Sequence, residues 1–197
     1  MNPQDRFFAV IPVESLKTDP WEVAARLKVS RDFSLDAVGE CDAELRRVLD
    51  CRYSAVRVPV LRPGEEQLDL GFGSFHSHDL TRNLTGCEEA FLFAVTVGHG
   101  ADRLIRRLSV TSPARHFITD ALASAYAEAA CDVADRALRQ GLRCATRFSP
   151  GYGDLPLTVQ PGLLQAVNAE RLLNITLGAT LLMSPSKSIT AVMGIQA

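Results

Sequence analysis

Ala90 to Val97 (AFLFAVTV) runs without a charge and is closed by Gly98. A short apolar run ended by a glycine predicts a central strand buried on both faces. Tyr53 to Val60 (YSAVRVPV) alternates and is rich in β-branched residues, which predicts a second strand. Leu61-Arg62-Pro63-Gly64 predicts a turn, and Gln67 to Phe72 a partner strand. Ser77 to Leu84 suits a short helix or loop. Helical spacing then takes over: His99 to Leu108 places Ala101, Leu104, Ile105 and Leu108 on one side. Ser112-Pro113 opens a long helix reaching about Gln140, with Gly141 as its stop. Leu142 to Phe148 predicts a strand, Ser149 to Gly153 a loop, and Pro161 to about Leu173 a helix. Ala179 to Met183 and Ser188 to Ile195 predict a C-terminal hairpin around Ser184-Pro185-Ser186-Lys187. Near the N-terminus, Asp19-Pro20 starts a short helix from Trp21 to about Lys28, and Leu35 to about Leu49 forms another. The expected fold is α+β: a single domain over 1–197 with a mostly antiparallel twisted sheet, a long Ala-rich helix and a C-terminal hairpin. Residues 1–50 are expected to form a helical lead-in.

Composition narrows the class without naming a chemistry. Of 197 residues, 47% are hydrophobic and 22% charged, and the formal net charge is −2. With a mean hydropathy of +0.05, that balance argues against a disordered chain and against a basic nucleic-acid binder. No apolar run approaches the roughly 18 residues of a membrane span. The N-terminal MNPQDRFFAVIPVESLK lacks the apolar segment and cleavage site of a secretory signal. A cytoplasmic location is the expectation, with no membrane and no nucleic acid as partner. Cys41, Cys51, Cys87, Cys131 and Cys144 are odd in number and widely spread, so they are expected to act as small buried hydrophobes.

Two segments carry candidate chemistry. The long helix has nine alanines between Ala114 and Ala137, and a polar row at Asp120, Ser124, Glu128 and Asp132. Spacing by four puts that row on one face. It reads either as a solvated stripe with Asp132 paired to Arg136, or as an acidic face toward a cationic ligand. The second segment is Arg147-Phe148-Ser149-Pro150-Gly151-Tyr152. An arginine at a strand end presents a fork of donors that matches a carboxylate. Pro150 and Gly151 shape a turn that leaves backbone groups free, and Tyr152 offers a flat face for stacking. Other motifs are weaker. Gly98-His99-Gly100 lacks the rest of a nucleotide-binding loop and reads as a closely packed helix start. His76-Ser77-His78-Asp79 could offer two imidazoles and a carboxylate to a metal, but His116 is only a distant candidate to join them, and no metal is expected. No nucleophile elbow points to a hydrolase. Lys187, in the expected hairpin turn, reads as a solvated tip.

Three stretches taken together carry a family resemblance: Val95 to Asp135 (VTVGHGADRLIRRLSVTSPARHFITDALASAYAEAACDVAD), Arg147 to Leu157 (RFSPGYGDLPL) and Leu177 to Ile195 (LGATLLMSPSKSITAVMGI). In this order and spacing they resemble the C-terminal reactivation domain of cobalamin-dependent methionine synthase, and look closest to short free-standing proteins that carry such a domain alone. The best-matched part is 95–195; Phe72 to Ala94 fits more loosely, and the first 50 residues only vaguely.

The resemblance implies S-adenosylmethionine as ligand, bound through an arginine, three variable positions and Gly-Tyr, which here are Arg147, Ser149, Pro150, Gly151 and Tyr152 with Phe148 between. The full-length enzymes carry an acid where Ser124 aligns, and Glu128, one turn later, is the expected substitute. The implied role is repair. When the cobalt of the synthase is oxidised to cob(II)alamin, a flavodoxin-type donor supplies an electron and S-adenosylmethionine the methyl that traps methylcobalamin. That work needs positioning rather than a general base, so no catalytic residue is expected. Cobalamin would be met only through the partner, a cobalamin-dependent methionine synthase lacking its own reactivation domain. Two rivals remain: an interaction module for a corrinoid protein that binds no methyl donor, and an S-adenosylmethionine-dependent methyltransferase acting on another corrinoid protein.

Overall fold

A computed structural model describes residues 6–18, 23 and 35–196 of the chain. Its centre is a four-stranded antiparallel sheet of β1 (Arg6–Val10), β2 (Arg52–Pro59), β6 (Cys87–Thr96) and β9 (Ser188–Gln196), in the order β1-β2-β6-β9. Between β2 and β6 lie a small sheet of β3 (Leu61–Gly64), β4 (Gln67–Asp69) and β5 (Ser74–His76), and helix α2 (His78–Asn83). Helices α1 (Leu35–Arg46), α3 (His99–Thr111) and α4 (Pro113–Arg139) cover one face of the large sheet. The short helices α5 (Gln160–Ala166) and α6 (Ala169–Leu173) cover the other, followed by β7 (Thr176–Leu177) and β8 (Met183–Ser184).

The apolar run of β6 explains this layering. Phe91, Phe93 and Val95 enter the core under α4, while Ala90, Leu92 and Ala94 enter the core on the opposite face. The run from Ala90 to Val95, without polar positions, needs cover on both sides, and the helices supply it. On α4, Ala123, Ala127, Ala130 and Ala134 are all buried against the sheet and its neighbours. Small side chains let the long helix lie close, and Tyr126, fully buried, donates its hydroxyl to Asp42 of α1 at 2.6 Å. The four residues expected to face inward on α3, Ala101, Leu104, Ile105 and Leu108, are the buried ones. Gly98-His99-Gly100 is indeed a tightly packed helix start. A Cβ on Gly100 would sit 2.0 Å from the Val48 carbonyl oxygen.

Several expectations are corrected. Residues 1–50 are not wholly a helical lead-in, because Arg6–Val10 pairs along β2, with Phe7 and Ala9 half-buried between exposed neighbours. The expected helix at Trp21 to Lys28 lies outside the described residues, apart from Val23. Leu61–Gly64 is a strand rather than a turn: Gly64 pairs with Gln67, so Glu65 and Glu66 make the bend. The helix expected from Pro161 to Leu173 is broken by Asn168, whose φ of 54° leaves the helical region. The C-terminal hairpin falls one element earlier, since Met183–Ser184 pairs with Thr176–Leu177 while Ser188–Gln196 runs antiparallel to β6. Beside β6, all of β9 finds ladder partners, which the short 179–183 segment could not provide.

Candidate functional site

Leu142 to Phe148 is not the regular strand expected. Its bridges to β9 are isolated rather than a continuous ladder, Cys144 with Ile195 and Phe148 with Val192. Four steps along this segment therefore oppose three along β9, so one residue is looped out as in a bulge. The carbonyls of Cys144 and Ala145 instead accept from the Arg139 guanidinium at 2.9 and 3.0 Å. Arg147, within this irregular stretch, meets α4: it donates to Asp132 Oδ1 at 2.7 Å and to Glu128 Oε2 at 3.4 Å. The expected Asp132–Arg136 pair is replaced by this contact.

Glu128, Arg147, Ser149, Pro150 and Tyr152 line one cavity of about 640 Å³, together with Met183 and β9 residues. Of the seven residues singled out in the sequence, five thus meet around one space. Gly151 shapes the turn, donating its N–H to the Leu155 carbonyl at 2.9 Å. Tyr152 stands at the rim, 71% exposed, so its ring is free to cover an occupant. The wall also contains residues the sequence reading missed. Gln160 is buried and accepts from the Thr190 hydroxyl at 2.8 Å, and the Ser188 hydroxyl donates to Thr96 at 2.9 Å. The polar positions 188 and 190 within an otherwise apolar strand were the available signal.

Ser124 stands apart from the cavity lining. Its hydroxyl donates to the Asp120 carbonyl at 3.1 Å and accepts from Lys187 Nζ at 2.9 Å. Lys187 also pairs with the Asp120 carboxylate at 2.9 Å, and its side chain is only 15% exposed. It is therefore not a solvated tip. The neighbouring Ser186 is tied to α3 as well, through N–H and hydroxyl bonds to Asp102 at 2.8 and 2.9 Å. The polar row of α4 does face solvent, but it also holds two cations: its first half takes Lys187 and its second half Arg147.

The remaining candidates have structural explanations. His78 Nδ1 lies 2.7 Å from Glu66, and the Glu66 hydrogen bond raises the imidazole pKa above its ordinary value. Ser77 caps α2 by accepting from the Leu80 N–H. Cys41, Cys51, Cys87 and Cys131 are buried and Cys144 is partly so, all as free thiols. Burial pushes Cys51 and Cys131 up to about 12, which leaves both thiols protonated and inert.

No family model and no curated protein matches this sequence. Among solved structures, the fold is similar to the crystal structure of the MetH reactivation domain bound to AdoHcy. The TM-score is 0.70, covering 96% of this chain and 78% of that one, at 14% sequence identity. The relationship is one of fold, and it agrees with the resemblance carried by the three sequence stretches.

Proposed function

We propose that the chain binds S-adenosylmethionine in the Arg147 cavity and supports reductive methylation of cob(II)alamin on a separate cobalamin-dependent methionine synthase. The observation that carries this reading is the convergence of Arg147, Ser149, Pro150, Tyr152 and Glu128 on one cavity, in a fold whose solved neighbour holds S-adenosylhomocysteine. The residues suit the ligand. At about 640 Å³, the cavity falls inside the range of roughly 300–1,000 Å³ typical of small-molecule sites. Arg147 offers a fork for a carboxylate. Glu128, whose contact to Arg147 is the longer of the two, is a carboxylate for the cationic end. Tyr152 supplies the flat cover.

Bound S-adenosylmethionine supplies an electrophilic methyl group. The work of this chain is to fix that methyl in line with a nucleophile presented by the partner, which is catalysis by positioning. Arg147 anchors one end and Tyr152 limits motion at the mouth, so no side chain here needs to move a proton. The partner would hold the corrinoid, a flavodoxin-type protein would supply the electron, and the setting would be the cytoplasm. Among the described residues no helix is long and apolar enough to cross a membrane.

A second reading, a corrinoid-protein module that binds no methyl donor, draws on the pairing of Arg147 to two carboxylates, which compete with a ligand carboxylate. Calorimetric titration with S-adenosylmethionine separates the two. Binding by the native chain, lost in Arg147→Ala and not restored by Arg147→Lys, is the expected result, because lysine lacks the fork. Absence of heat with the native chain would favour the interaction module. If binding holds but a domain-lacking synthase is not reactivated from cob(II)alamin, another corrinoid acceptor becomes the better reading.

A further inference from the structure

We propose that helix α2 is a splint for the cavity loop, with Asp154 and Asn83 as positioning residues that never touch the ligand. The inference deepens the reading of the cavity as an adenosyl-ligand site and rests on it for its binding arm alone. The loop from Thr146 to Asp154 contains Arg147 and Tyr152, yet its internal hydrogen bonds are few: Tyr152 N–H to the Ser149 carbonyl at 3.1 Å, and the Gly151–Leu155 and Leu155–Tyr152 bonds at 2.9 and 3.0 Å. Phe148 is bridged to Val192 of β9 and Arg147 is paired to α4, and the two ends of the loop are both tied to one short helix. At the far end, the Asp154 carboxylate accepts from the Ser77 hydroxyl at 2.6 Å, from the His78 N–H at 2.7 Å and from the Asp79 N–H at 3.2 Å. At the near end, Asn83 Nδ2 donates to the Thr146 hydroxyl at 2.9 Å. Residues 77 and 83 bracket α2, so a rigid element spans the loop from start to finish.

Three further observations make the helix a fixed support. Ser77 is buried, and its hydroxyl accepts from the Leu80 N–H while donating to Asp154. Leu80 and Leu84 are fully buried in the core beneath the loop. Gly153, at φ 52°, passes so near that a Cβ would sit 2.4 Å from Asp79 Oδ2. Asp154 therefore supplies acceptors for the first N–H groups of α2, which have no partner within the helix. Holding the loop before a ligand arrives reduces the ordering cost of binding.

The test uses the full chain, S-adenosylhomocysteine as probe, and hydrogen exchange of the loop amides. Asp154→Ala is expected to speed exchange at Gly151 and Leu155 by about tenfold and to weaken binding by about tenfold, since hydrogen bonds to a charged group are lost. Asn83→Ala is expected to act on the near end, with a smaller effect of about threefold on binding. Asp154→Asn keeps acceptors for Ser77 and one amide, so it should recover most of the affinity. It also serves where the alanine variant fails to fold. Unchanged loop exchange in Asp154→Ala and Asn83→Ala, or faster exchange with native affinity in Asp154→Ala, would overturn the splint. If the native chain binds no probe, the ligand reading fails, and the exchange arm still decides whether α2 holds the loop.

Discussion

Along one face of α4, two cations are held by the same row of four side chains. Lys187 takes Asp120 and Ser124, both at 2.9 Å, and is 15% exposed. Arg147 takes Asp132 at 2.7 Å and Glu128 at 3.4 Å, and is 28% exposed. The chemistry is similar, but the surroundings differ. Lys187 closes a packed junction between α4 and the start of β9, beside the Asp102–Ser186 tie. Arg147 borders the large cavity, and Glu128 lines that cavity with it while Asp132 lines a separate one of about 320 Å³. The lysine clasp has spent its donors on the protein itself. The arginine clasp has one firm bond and one long one; under the proposed function a ligand carboxylate would displace Glu128 while Asp132 keeps the guanidinium aimed.

That contrast is open to breakage. Arg147→Ala should weaken S-adenosylmethionine binding by about 100-fold while barely changing the melting temperature, because exposed ion pairs contribute little to stability; titration calorimetry and thermal unfolding together check it. Next in size is the opposite face of the same helix. Ala130→Leu, at a fully buried position, should cost about 1–3 kcal/mol by overpacking, read as a lowered melting temperature with both clasps loosened. Lys187→Ala should cost about 1 kcal/mol or less, since Asp120 remains half-exposed and solvated. Its ligand affinity should stay within about threefold of native; a larger loss would place Lys187 in the ligand site and erase the distinction.

The smallest effect is on pH. Asp154 is held below its ordinary value by the Ser77 hydroxyl and by the N–H groups of His78 and Asp79. A carboxylate whose folded pKa is depressed stabilises the fold above its unfolded value and loses that contribution as pH falls through the folded value. The native chain and Asp154→Asn should therefore differ above about pH 4 and converge in more acid solution. Thermal unfolding across that range checks the direction.

Much of this was legible locally. The central strand declares itself by its unbroken apolar run, and α3 by four inward residues at helical spacing. The length of α4 shows in its opening Ser112-Pro113 and its closing Gly141, and Arg147 with Gly151 and Tyr152 stands out only through the family resemblance. What misled was register and partnership. Lys187 sits in a serine- and proline-rich turn, which reads as solvated because neither Asp120 nor Ser124 is near it in sequence. The strand expected at 142–148 fails because one extra residue between Cys144 and Phe148 breaks the register with β9. The hairpin expected at the C-terminus fails because β9 finds a longer partner in β6.

Periodicity, caps and small residues are properties of a short stretch, so the amino-acid sequence alone determined α3, α4 and the buried central strand. Which acid holds which cation was decided only when distant segments met. Asp132 and Arg147 are brought together by the fold of β9 and its irregular neighbour, and Ser77 and Asp154 by the packing of α2 beneath the loop. Ion pairs and hydrogen bonds act over a few ångströms in space, and between separate elements that closeness is set by packing rather than by spacing along the chain. The alphabet of the site was written in the chain, and its pairing was written in the tertiary structure.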